Sequence, residues 1–174
     1  MISVPAVYLL HGKGGSPNGT VSKLQNCLEQ DWPELKYFRP ALPHGNPAVP
    51  AEVSVEFLRN LPLETGSLVI GVSLGGLVAA KLQEESRPDL NVICISSPTW
   101  ADEVKLLRRA EHRVAFYSVA DEVISDRIED WPGLAEAYEF RWLDHDTDKH
   151  LGPLTGLVGS YLRGDLSLRV REFS

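Results

Sequence analysis

Cysteine is scarce in this sequence. Two thiols, Cys27 and Cys94, in 174 residues exclude a disulfide framework, and a chain of this size does not need one to bury a core. Cys27 falls in an expected helix and Cys94 in an expected strand, at positions that suit reduced, buried thiols. Long apolar runs are also missing. The stretch 2–10 is too short to span a bilayer and lacks the basic start and small-residue cleavage site of a secretory signal. A cytoplasmic protein with no membrane span is therefore expected. Positive charge is sparse: the formal net charge of −7 repels a phosphate backbone and argues against a nucleic-acid partner. The basic runs at 108–109 and 169–171 read as solvated faces. Repeats, linkers and low-complexity tracts are absent, which predicts one domain over 1–174 with 164–174 as a charged surface tail.

What is present is ordinary globular composition, 43% hydrophobic and 24% charged, arranged in alternating periods. Strand-like apolar runs occur at 4–10, 36–42, 68–70, 91–96, 112–118 and 138–143. Helical spacing occurs at 20–30, 52–61, 77–82, 100–109, 128–137 and 154–162. Strands alternating with helices predict an α/β fold, a three-layer αβα sandwich around a six-stranded parallel sheet. Only 97–111 separates the fourth strand from the fifth, too little for a cap domain. In such a sheet, ligands gather outside the carboxyl ends of the strands.

The residues at those ends are chemically pointed. Gly71-Val-Ser-Leu-Gly75 fits G-x-S-x-G, the nucleophile elbow, in which a serine sits on a sharp strand-to-helix turn with its hydroxyl raised for attack. Strand-like residues precede it and helix-like residues follow, as the motif requires. A serine hydroxyl is a weak nucleophile at neutral pH, so Ser73 needs an imidazole to take its proton and a carboxylate to orient that imidazole. Asp121 follows the fifth strand and is the expected acid, with Glu122 and Asp126 as alternatives. Two histidines, His145 and His150, lie in the loop 144–153. His150 stands directly before the closing helix, which favours it as the base, with His145 as the alternative.

An acyl-transfer transition state also needs donors for its oxyanion. Leu74 N–H, next after the nucleophile, is one. The other is expected from the turn-rich loop His11-Gly-Lys-Gly-Gly15, where Lys13 N–H is favoured. In the same loop, His11, Gly12 and Gly14 are expected against substrate, because glycines let the backbone come close. The loop is not a phosphate cradle, since the G-x-x-x-x-G-K-[ST] spacing is absent. The aspartates at 144–148 do not make a calcium loop: Lys149 stands where glycine is required and Thr155 where glutamate belongs. No metal and no cofactor are expected.

With Leu10-His-Gly-Lys-Gly-Gly-Ser-Pro17 and Gly71-Val-Ser-Leu-Gly-Gly76 in place, the chain resembles small, lidless members of the α/β-hydrolase superfamily, in particular the YqiA-type predicted esterases. The resemblance implies a carboxylesterase or thioesterase with Ser73 as nucleophile, Asp121 as acid, His150 as base, and Leu74 and Lys13 as oxyanion donors. The implied partner is a small ester or thioester. The chain departs from the family pattern in the long acidic approach to its histidine. A non-catalytic scaffold of the same fold and an acyltransferase using the same residues are the alternatives.

Overall fold

The computed structural model describes residues 1–173. Its main sheet contains β1 (Val7–Leu10), β2 (Tyr37–Phe38), β3 (Leu68–Val72), β4 (Asn91–Ile95), β7 (Arg113–Tyr117) and β8 (Glu136–Glu139). All neighbours are parallel, in the order β2-β1-β3-β4-β7-β8. The chain starts inside the sheet at β1, steps outward to β2, then returns to the other side of β1 and proceeds to β8. The reversal opens a crevice at the carboxyl ends of β1 and β3, the place where such sheets bind ligands.

Alternation along the strands builds the three layers. Val7 and Leu9 of β1, Leu68, Ile70 and Val72 of β3, and Val114 and Phe116 of β7 face one core with α1 (Thr20–Asp31) and α5 (Leu151–Arg163). The intervening Tyr8, Leu10, Val69, Cys94 and Ala115 face the other core with α2 (Ala51–Arg59), α3 (Leu74–Glu85) and α4 (Trp131–Leu134). A one-residue slip in any of these strands would exchange its two faces, so burial on both sides pins the register. Register places Leu10 opposite Gly71, Gly71 opposite Cys94, and Ile95 opposite Phe116. The strand ends that carry chemistry therefore lie level with one another.

Four segments differ from the sequence expectation. The strand expected at 36–42 shortens to Tyr37–Phe38, because Pro40 has no N–H for the ladder. The helix expected at 100–109 is a hairpin of β5 (Trp100–Ala101) and β6 (Val104–Lys105). There the buried Ala101, Val104 and Leu106 pack against the α3 side of the core, and tertiary packing overrides the local pattern. The helix expected at 128–137 contracts to α4, where Trp131 is wholly buried and donates Nε1–H to Ser97 O at 2.8 Å; β8 begins two residues ahead of the expected run. The tail expected at 164–174 forms α6 (Leu166–Phe173), and its Leu166 is buried in the α1/α5 core. Among the described residues, no cap domain covers the sheet, and no helix is long and apolar enough to cross a membrane.

Candidate active site

Ser73 joins β3 to α3 without an intervening loop. Its backbone holds φ 54° and ψ −125°, a region that costs a non-glycine residue about 1–3 kcal/mol and persists only where the surroundings enforce it. Two glycines permit the turn. A Cβ on Gly71 would sit 2.2 Å from Gly76 N, and one on Gly75 would sit 2.3 Å from Leu10 O; both neighbours are backbone and cannot step aside. Ser73 N–H donates to Ile95 O at 2.8 Å and Ser73 O accepts from Gly76 N–H at 3.0 Å. The serine is thus strapped to β4 on one side and to α3 on the other.

Asp121 lies beyond β7, fully buried. Its Oδ1 accepts Val123 N–H at 3.0 Å and its Oδ2 meets His145 Nδ1 at 2.8 Å. A carboxylate only accepts, so the imidazole proton is on Nδ1 and Nε2 is bare. That bare nitrogen stands 3.0 Å from Ser73 Oγ, where it can take the hydroxyl proton while Asp121 steadies the resulting charge.

His150, expected at this position, is elsewhere. Its Nε2 bonds Asp144 Oδ1 at 2.8 Å, and its ring lies 5.4 Å from the Trp142 ring, centroid to centroid. Leu143, four residues past the end of β8, is fully buried and anchors the chain there, so His145, two residues on, reaches the crevice. A 3-10 turn at Thr147–His150 then carries the chain back over Trp142. Asp148 anchors this turn to α1, accepting from Lys23 Nζ at 2.6 Å and Thr20 Oγ1 at 2.7 Å. The hydrogen bond from Lys23 holds the Asp148 carboxyl below its usual range, and His150 does the same to Asp144. The two histidines are thus committed to different carboxylates. Among the described residues, no group of three His, Cys, Asp or Glu is placed to hold a metal ion.

The loop after β1 closes the other side. Gly12 packs so near the serine that a Cβ there would lie 3.2 Å from Ser73 Cβ. Gly14, at φ 74°, directs its N–H to His44 O at 3.0 Å, and Gly15 N–H goes to Gly12 O at 3.0 Å. The amides of Lys13 and Leu74 have no backbone acceptor among the described residues. His11, Gly12 and Lys13 line a cleft of about 710 Å³ over Ser73, whereas Gly14 does not. Its place in the wall is taken by Gly15 and Ser16, because the Gly14 amide is turned toward His44.

The far wall was not foreseen from the sequence. It consists of Ala101 and Asp102 from the hairpin and of Val123, Ile124 and Arg127 beyond β7. Arg127 lies over the Trp100 ring at 5.4 Å, and Asp102 Oδ2 accepts Ala51 N–H at 3.2 Å, tying the hairpin to the start of α2. The signal available was position alone, since both segments follow the carboxyl ends of sheet strands.

The fold is shared with proteins of very different sequence. Mouse alpha/beta hydrolase domain-containing protein 10 superposes with a TM-score of 0.72 at 10% identity, over 94% of this chain and 92% of that one. The ydeN gene product of B. subtilis gives 0.71 at 20% identity, over 92% and 100%. An α/β serine hydrolase without lid from Xanthomonas campestris gives 0.59 at 16% identity, over 98% and 84%. No curated protein sequence matches the chain significantly. The architecture is the α/β-hydrolase fold without a cap. The uncharacterised protein family UPF0227 matches residues 6–95, just over half of the chain and including both the His11 loop and Ser73, and the chain belongs to that family.

Proposed function

We propose that this protein is a cofactor-free serine hydrolase of carboxylic esters or thioesters, working through an acyl-enzyme on Ser73. The observation that carries the reading is the unbroken chain of hydrogen bonds from Asp121 through His145 to Ser73 Oγ. It supports His145, the alternative base, over His150.

In this mechanism Ser73 Oγ attacks the acyl carbon as its proton passes to His145 Nε2, and Asp121 remains ionised beside the imidazolium. The carbonyl oxygen becomes an oxyanion between the Leu74 and Lys13 amides, an arrangement worth a few kcal/mol per donor when preorganised. Collapse of the tetrahedral intermediate breaks the bond to the leaving group, which departs as an alcohol or thiol carrying the proton from His145. Water then attacks the acyl carbon, gives a proton to His145, and the second collapse releases the acid and returns the proton to Ser73. Strain at Ser73 supports its assignment as a nucleophile elbow, because an off-region backbone at a serine calls for a function. The cleft is uncapped and Val123 on its wall is largely exposed, which favours short or protruding acyl groups over deeply enclosed lipid chains.

A fluorophosphonate probe with a chain-length series of nitrophenyl esters and acyl thioesters tests the reading. Labelling and turnover should vanish in Ser73→Ala. A folded wild type that neither labels nor turns over any member of the series refutes it.

A further inference from the structure

The loop that carries Lys13 leans on a segment outside the Ser73–His145–Asp121 chain. The 3-10 turn Pro43–Gly45 and its neighbour Leu42 bind residues 11–15 at three points. His44 Nε2 meets His11 O at 2.8 Å, Gly14 N–H donates to His44 O at 3.0 Å, and Leu42 N–H donates to His11 Nε2 at 3.0 Å. His11 closes the loop on itself by donating Nδ1–H to Gly12 O at 2.9 Å. The packing leaves no slack: a Cβ on Gly45 would lie 3.0 Å from Gly15 O and 3.5 Å from His11 Cε1.

Each proton in this frame is fixed by its partner. His11 O can only accept, so His44 carries its proton on Nε2, and the bare Nδ1 faces Ser54 Oγ at 2.8 Å. Ser54 Oγ also accepts His44 N–H at 3.1 Å. Ser54 sits on α2 and is fully buried, as is His44. Burial pushes the His44 imidazole down to about 4, so it stays neutral and keeps this pattern at neutral pH. The imidazole is therefore a strut running from α2 to the carbonyl just ahead of Gly12 and Lys13.

A loop with three glycines in five residues has little stiffness of its own. An apolar residue at 44 could fill the same space, but it would leave His11 O buried and unpaired, a larger loss than the bond itself contributes. A polar frame in which every member is satisfied also selects one geometry. Geometry matters most at the next amides, because an oxyanion donor acts only within hydrogen-bond range of where the charge develops. We propose that His44, seated on Ser54, is a positioning residue that aims the oxyanion donor of the His11–Gly15 loop; this rests on the serine hydrolase reading.

The test compares kcat and KM for a short nitrophenyl ester in wild type, His44→Leu, His44→Gln and Ser54→Ala, with melting temperature measured alongside. Leucine fills the volume without a donor, whereas the glutamine amide can donate to His11 O. His44→Leu should lower kcat at least about tenfold with KM within about threefold of wild type, and His44→Gln should return kcat to within about threefold. The affinity of an alkylboronic acid, whose tetrahedral adduct places an oxygen in the hole, should fall with kcat. A folded His44→Leu with kcat near wild type overturns the proposal, as do equal losses in the leucine and glutamine variants. If His44→Leu does not fold, Ser54→Ala decides: a severalfold fall in kcat at unchanged KM supports the strut, and an unchanged kcat overturns it. A wild type without labelling or turnover is a separate result, which removes the hydrolase reading and this inference with it.

Discussion

Two histidines of one loop are each paired with an aspartate by a 2.8 Å bond: His145 Nδ1 with Asp121 Oδ2 from beyond β7, and His150 Nε2 with Asp144 Oδ1 of the loop itself. As pairs they are chemically alike. They differ in burial and in what the second imidazole nitrogen can reach. The Asp121 side chain is 0% exposed and that of Asp144 is 48% exposed, so water screens the second carboxylate far more than the first. His145 has Ser73 Oγ on its far nitrogen, while the His150 ring lies against Trp142. In the proposed mechanism, a buried carboxylate on one nitrogen and the Ser73 hydroxyl on the other are what suit an imidazole–carboxylate pair to acid–base work.

Substitution of the two bases should separate the pairs most widely. His145→Ala is expected to lower kcat/KM for a nitrophenyl ester by about 10⁴-fold or more, since the nucleophile then has no proton acceptor. His150→Ala should lower it less than about tenfold, through loosening of the turn alone. The reverse outcome would return the base to His150. Next in size are the acids. Asp121→Asn keeps the shape but can no longer stabilise the imidazolium, and about 10³- to 10⁴-fold should be lost from kcat. Asp144→Asn should change kcat by only a few fold, measured on the same substrate.

The contrast between the pairs also marks what the sequence could disclose. The parallel sheet was legible because its inner strands β1, β3, β4 and β7 are apolar on both faces and run into turn residues. Ser73 and Asp121 were legible as candidates because they sit at strand ends, where position follows directly from the one-dimensional pattern. The choice between His145 and His150 was not. It depends on the Leu143 anchor, on the His150–Trp142 contact, and on Asp148 reaching Lys23 and Thr20 at the opposite end of the chain. Long-range bonds of this kind leave no local period. The hairpin at Trp100–Lys105 was hidden for a related reason, since Ala101, Val104 and Leu106 satisfy helical and strand spacing about equally. His44 gave no sign at all: a histidine between Pro43 and Gly45 looks like any loop residue until Ser54 and His11 are folded onto it.

Acid titration should sharpen the comparison further by separating effects of burial from effects of pairing. His44 and Asp144 both have lowered pKa values, His44 through burial and Asp144 through its bond with His150. In each case the unfolded chain binds the proton more readily than the folded one, so stability is lost as pH is lowered. The windows differ. An unfolded histidine titrates near 6.5 and folded His44 near about 4, so stability is complete above about 6.5 and declines from there to about 4, by roughly 3 kcal/mol at the lower end. Asp144 contributes its stability above the ordinary carboxylate range, and loses it only as pH falls through its lower folded value; being exposed, it is the smaller of the two. Chemical denaturation across pH 3 to 8 should show His44→Gln flattening the upper window and Asp144→Asn flattening only the lower one. If His44→Gln leaves the slope between pH 6.5 and 4 unchanged, the imidazole is charged within that range, and it could not then accept the Ser54 hydroxyl proton in the bond assigned to it.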